Sequence, residues 1–113
     1  MADVTVRGLV RDMQTEIRDT DLQPSRAADL LNRLTSLVGN CNDEIRQADV
    51  AYAAVLLRHL EGEEAANRAK IRAETTPEYL RKREARDTKE LAVELIRSLK
   101  YFLRSKEQEM RLT

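Results

Sequence analysis

Apolar residues recur along this chain at steps of three and four, the spacing that lines one face of a 3.6-residue helix. Val6, Leu9, Val10, Met13 and Ile17 form the first such stripe and predict a helix over about residues 5–20. Gly8 lies within it and costs roughly 1 kcal/mol relative to alanine, so this helix is expected to depend on tertiary contacts. The polar break Asp19-Thr20-Asp21-Leu22-Gln23 precedes Pro24, and proline suits a helix's first turn, where its missing N–H would have no partner anyway. A second helix therefore opens at Pro24 or Ser25. From there Ala27, Leu31, Leu34, Val38, Cys41, Ile45, Ala48, Tyr52 and Val55 form a heptad seam sustained for about four repeats. Gly39-Asn40-Cys41-Asn42 interrupts it chemically without shifting its phase. Either one helix runs through Gly39, or a helix ends there and restarts with Asn42 as cap. The preserved phase favours continuity.

Thr75-Thr76-Pro77-Glu78 is a helix-start signal: a threonine cap, proline at the first helical position and an acid behind it. The last helix is predicted from Pro77 to about Met110, with Ala85, Thr88, Ala92, Leu95, Leu99 and Phe102 as its seam and Leu91, Ile96 and Leu103 beside it. Between Leu60 and Thr75 only Gly62 opposes helix, while Ala65, Ala66, Arg68 and Ala69 favour it, so that stretch reads as a continuation with a kink.

Two hairpin registers compete. A turn near residue 62 would set the apolar stretch 45–60 against 77–92, most of which is charged. A turn at 75–77 sets Leu60 against Leu91, Leu56 against Leu95, Tyr52 against Leu99 and Ala48 against Leu103. The second pairs apolar with apolar, and burial at about 25 cal/mol per Å² is the main stabilising term. The expected fold is all-α: one domain over 1–113, with an N-terminal helical part over about 1–40 and a long antiparallel, coiled-coil-like hairpin over about 42–111. Its turn falls near 75–77, and the N-terminal helix packs at its base. In this register Tyr52, Leu56, Leu95 and Leu99 share one core, while Leu30, Leu31, Leu34, Leu37 and Val38 lack a partner. Those five predict self-association as a homodimer or small homo-oligomer.

Composition narrows the function. Charged residues are 35% of the chain and apolar ones 42%, with Lys+Arg and Asp+Glu equal at 20 each, which excludes a uniformly basic protein. Three glycines, two prolines and 4% aromatics exclude most turn-rich β architectures. No apolar run approaches the ~20 residues of a membrane span, no secretory leader is legible, and the single Cys41 fits a reducing compartment. A cytoplasmic location is expected.

Chemistry is scarce. His59 and Glu63 lie one helical turn apart, but no further ligands complete a metal pattern. Cys41 sits on the seam between Val38 and Ile45, where a small thiol acts as a hydrophobe. Without a phosphate-binding glycine loop or a nucleophile motif, the chain is not expected to be an enzyme or to hold a cofactor. The basic stretch matters more. Arg68, Lys70, Arg72, Arg81, Lys82, Arg83 and Arg86 outnumber Glu74, Glu78 and Glu84, and the chosen register gathers them at the tip of both arms beside Tyr79. Such a tip could grip phosphates or single strands, or serve as a solvated, protein-facing surface. The segment Arg97–Arg104 is basic and amphipathic, but Leu99, Phe102 and Leu103 are assigned to the core rather than to a membrane.

The stretches Asn42-Asp43-Glu44-Ile45-Arg46-Gln47-Ala48 with Ala51-Tyr52-Ala53, and Ile96-Arg97-Ser98-Leu99-Lys100-Tyr101-Phe102-Leu103-Arg104-Ser105 with Glu109-Met110-Arg111, resemble small uncharacterised helical-hairpin proteins of tailed bacteriophages and prophages. The resemblance covers about residues 42–111 and implies a phage origin, hence the host cytoplasm. Some members of that group are encoded near recombination or replication genes. The expected function is a non-enzymatic interaction protein that self-associates and binds a protein partner. The alternative is a nucleic-acid-binding accessory acting in recombination or replication through the basic tip.

Overall fold

The computed structural model describes residues 4–62 and 65–112, and among these it contains four helices and no strand. They are α1 (Val6–Asp19), α2 (Pro24–Glu61), α3 (Ala66–Ala73) and α4 (Pro77–Leu112). The molecule measures 71 × 32 × 22 Å.

Each helix end has a local cause. The Thr5 hydroxyl caps α1 by accepting from the Gly8 amide at 3.0 Å. A Cβ on residue 8 would lie 3.1 Å from that hydroxyl oxygen, so the cap and the glycine go together. Pro24 occupies the first turn of α2, which runs unbroken through Gly39 for 38 residues, as the preserved phase predicts. Its buried positions are Ala27, Leu30, Leu34, Cys41, Ala48, Tyr52 and Val55. At the corner between α1 and α2, the Arg26 guanidinium bridges Glu16 and Asp29.

The hairpin turn is not at 75–77. α2 ends at Gly62, whose amide donates to the His59 carbonyl, and α3 then packs back along α2. The chain therefore reverses between Gly62 and Ala65, and α3 and α4 together form the returning arm. Pro77 only breaks that arm. It has no N–H to offer the carbonyl four residues back, and the Thr76 hydroxyl donates to that Ala73 carbonyl instead, at 2.6 Å. Thr75-Thr76-Pro77 is a helix start, as read, but a hinge in one arm rather than the turn between two.

The register shifts accordingly. Tyr52 lies against Tyr79, with ring centroids 5.4 Å apart, rather than against Leu99, which is roughly 30 Å further along α4. Leu30 and Leu34 share a core with Leu95, Leu99 and Val10 of α1, and with Leu31, Leu37, Leu91, Ile96, Phe102 and Leu103 packed around it. Tyr52 and Leu56 belong to a separate cluster with Val55, Ala73 and Tyr79, so the expected single core of Tyr52, Leu56, Leu95 and Leu99 is two cores. Along the hairpin the arms meet largely through small side chains. Ala48, Ala69, Ala73, Ala85 and Ala92 are buried, as is Thr88, whose hydroxyl donates to the Glu84 carbonyl. The charges of 77–92 did not forbid this pairing because they lie off the seam, and alanine lets the helices close.

Candidate functional site

The new register dissolves the expected self-association stripe. Leu30 and Leu34 are wholly buried inside the chain, Leu31 and Leu37 pack on the same core, and Val38 is half-buried. The partners they lacked are supplied by the leucines of α4 between Leu91 and Leu103 and by α1.

The expected basic tip is also rearranged. All seven cations lie on the returning arm, strung along α3 and the first turns of α4, so none is brought in from the opposite arm. Arg81 clasps Glu44 of α2 with two hydrogen bonds of 2.7 and 3.2 Å, and Arg86 reaches Asp49 at 2.9 Å. The hydrogen bond from Arg81 holds the Glu44 carboxyl below its ordinary value. Lys82 places its ammonium 4.5 Å from the centre of the Tyr52 ring, and Tyr79 packs against the same ring at a 48° tilt. Four of the eight expected contact residues thus fasten the arms together. Arg68, Lys70, Arg72 and Arg83 are exposed.

Two concavities flank the hairpin. A cavity of about 410 Å³ opens beside the start of α1, lined by Thr5, Arg7, Cys41, Glu44, Arg81 and Thr88. Its charges are matched, Arg7 with Glu84 at 3.6 Å and Arg81 with Glu44. Cys41 is only 1% exposed, and burial pushes its thiol up in pKa, away from the reactive thiolate. On the other side a shallow groove of about 560 Å³ runs along Ile45 and Val93 between Arg86, Lys89 and Arg97. His59 is half-buried near the end of α2, whereas Glu63, its expected neighbour, lies outside the described residues. No cluster of three metal-capable side chains occurs among the described residues. No helix among them is long and apolar enough to cross a membrane.

One surface was not anticipated. On the outer side of α2, Val50 is 66% exposed, Leu57 55% and Leu60 43%, with Ala53 and Ala54 exposed between them. At 100° per residue this stripe points ~180° away from the buried Ala48–Tyr52–Val55 seam. Its own steps of three and four were legible in the sequence. The mistaken register concealed it by assigning Leu60 to the core. Ile71 of α3 and Leu80 of α4 add apolar exposure to the same half of the molecule.

No family model matches the chain, and neither a curated protein nor a solved structure is similar to it.

Proposed function

We propose that this chain is a non-enzymatic docking protein that works by presenting helical surface to another protein. The observation that carries the reading is the exposure of Val50, Leu57, Leu60, Ile71 and Leu80 on the half of the molecule that is only two helices thick. An apolar stripe at helical spacing is what a helix-on-helix contact needs, and contiguous exposed apolar patches mark interaction sites. In the cavity beside α1 the charges are matched and Cys41 is buried. A phage or prophage origin and a place in the host cytoplasm belong to the same proposal, carried by the resemblance of residues 42–111.

The test is co-purification of tagged protein from its native host, with and without nuclease and across a range of salt. A protein partner retained after nuclease treatment and in high salt supports the reading. A complex that disappears on nuclease treatment, or weakens steeply as salt releases counterions, overturns it in favour of nucleic-acid contact through the exposed Arg68, Lys70 and Arg83.

A further inference from the structure

We infer that the outer stripe of α2 is a two-fold, antiparallel contact between two copies of this chain. The inference rests on the docking reading above and names one occupant for its surface. Val50, Ala53, Leu57 and Leu60 occupy heptad positions, and in an antiparallel helix pair such positions interleave in layers. A two-fold axis beside residue 55 sets Val50 opposite Leu60 of the second copy and Leu57 opposite its Ala53. Each layer then matches a larger side chain with a smaller or equal one, and all four layers repeat by symmetry.

Charge at the two ends of the stripe selects this orientation. Arg46 closes one end, with its side chain 73% exposed and its guanidinium also hydrogen-bonded to Asp43 one turn back, and Glu61 closes the other, also exposed. Antiparallel pairing brings Arg46 of each copy within about one helical turn of Glu61 of the other, at both ends together. Parallel pairing would oppose Arg46 to Arg46 and Glu61 to Glu61, and like charges in register oppose association. The opposite charges of Arg46 and Glu61 therefore favour the antiparallel direction. Shape agrees as well. α2 ends just beyond the stripe, so the thick end of the second copy extends past the end of α2 instead of lying along it. Two molecules 71 Å long overlapping over the stripe and its flanks give a particle of about 110–120 Å.

The test measures mass by light scattering and maximum dimension by small-angle scattering, with helical circular dichroism as the folding control. The wild-type chain is expected at twice 13.0 kDa at micromolar concentration, and near 110–120 Å by the overlap estimated above. Leu57→Glu, at a position already exposed, is expected to return the mass to 13.0 kDa with helicity intact. Arg46→Glu alone and Glu61→Arg alone should each weaken the dimer at least tenfold. The double exchange Arg46→Glu with Glu61→Arg should restore it, because both ends regain opposite charges. A wild-type mass of 13.0 kDa at millimolar concentration overturns the inference. So does a dimer that survives Leu57→Glu, or one that the double exchange fails to restore. A monomer that still holds a protein partner after nuclease treatment removes the dimer and leaves the docking role standing; a dimer that captures nothing else does the reverse.

Discussion

The two ends of this hairpin are built from different materials. At the thick end α1 lies across α2 and α4, and Val10, Leu30, Leu34 and Leu99 are all but completely buried among three helices. At the thin end the arms close on each other through Ala48, Ala69, Ala73 and Ala85, and the larger side chains are Tyr52 against Tyr79, Val55 and Leu56, with Lys82 over the Tyr52 ring. Both halves obey the same heptad rule, but the first gains stability by volume and the second by close approach. A seam of alanines buries little area per residue, so its outer faces carry more of the half's apolar surface. That is where the exposed stripe lies.

The comparison breaks most easily at the thick end. Leu34→Ala should cost about 2–5 kcal/mol in urea denaturation, because the site is wholly buried and hemmed by three helices. A loss below 1 kcal/mol would mean that this end is not the main core. At the thin end the damaging change is the opposite one. Ala73→Leu should cost about 1–3 kcal/mol by overpacking, whereas the same enlargement at exposed Ala66, away from the α2 stripe, should be close to neutral. Next in size, Lys82→Gln removes an ammonium held over the Tyr52 ring and should cost about 0.5–1 kcal/mol. A double-mutant cycle with Tyr52→Leu isolates that coupling.

The smallest effect is the clasp between Arg81 and Glu44, two half-exposed side chains worth well under 1 kcal/mol. Its pH dependence has a definite sign. The folded Glu44 carboxyl sits below its ordinary value of 4.5, so its contribution is fully present above that value. It disappears as the pH falls through the lowered folded value. Glu44→Gln should therefore lower stability slightly at neutral pH, flatten the acid limb of a stability profile and leave the most acidic values nearly unchanged. An acid limb identical to the wild type would show that the pair is not held in solution.

Local features were the most legible in the sequence. Pro24 and Pro77 mark helix starts, the phase kept across Gly39 reveals one long helix, and the α4 seam from Ala85 to Leu99 is buried as its spacing predicts. Register was not legible, because it depends on which of two breaks reverses the chain. Thr75-Thr76-Pro77 carries a strong local signal and Gly62 a weak one, yet tertiary packing gave the reversal to the glycine end. Matching leucine with leucine also favoured the wrong alignment, since it ignored how closely alanines let two helices approach and the room α1 takes beside α4. Both candidate sites inherited that error. The basic residues were read correctly as surface cations but gathered at a tip that does not exist, and the leucines offered for self-association were core.

The short α3, set off by Gly62 on one side and Thr75-Thr76-Pro77 on the other, works like an expansion joint in the returning arm. A residue inserted at 74–76 alters the aim of one eight-residue helix and leaves α4 seated. The same insertion between Ala85 and Ala92 would rotate Ala92, Leu95 and Leu99 by about 100° relative to the preceding turns and dislodge one side of the thick core. The hairpin therefore has a place where its length can drift at the expense of the small cluster around Ala73 and Tyr79 while the thick core stays seated, and that place lies in the same half of the molecule as the surface proposed for docking.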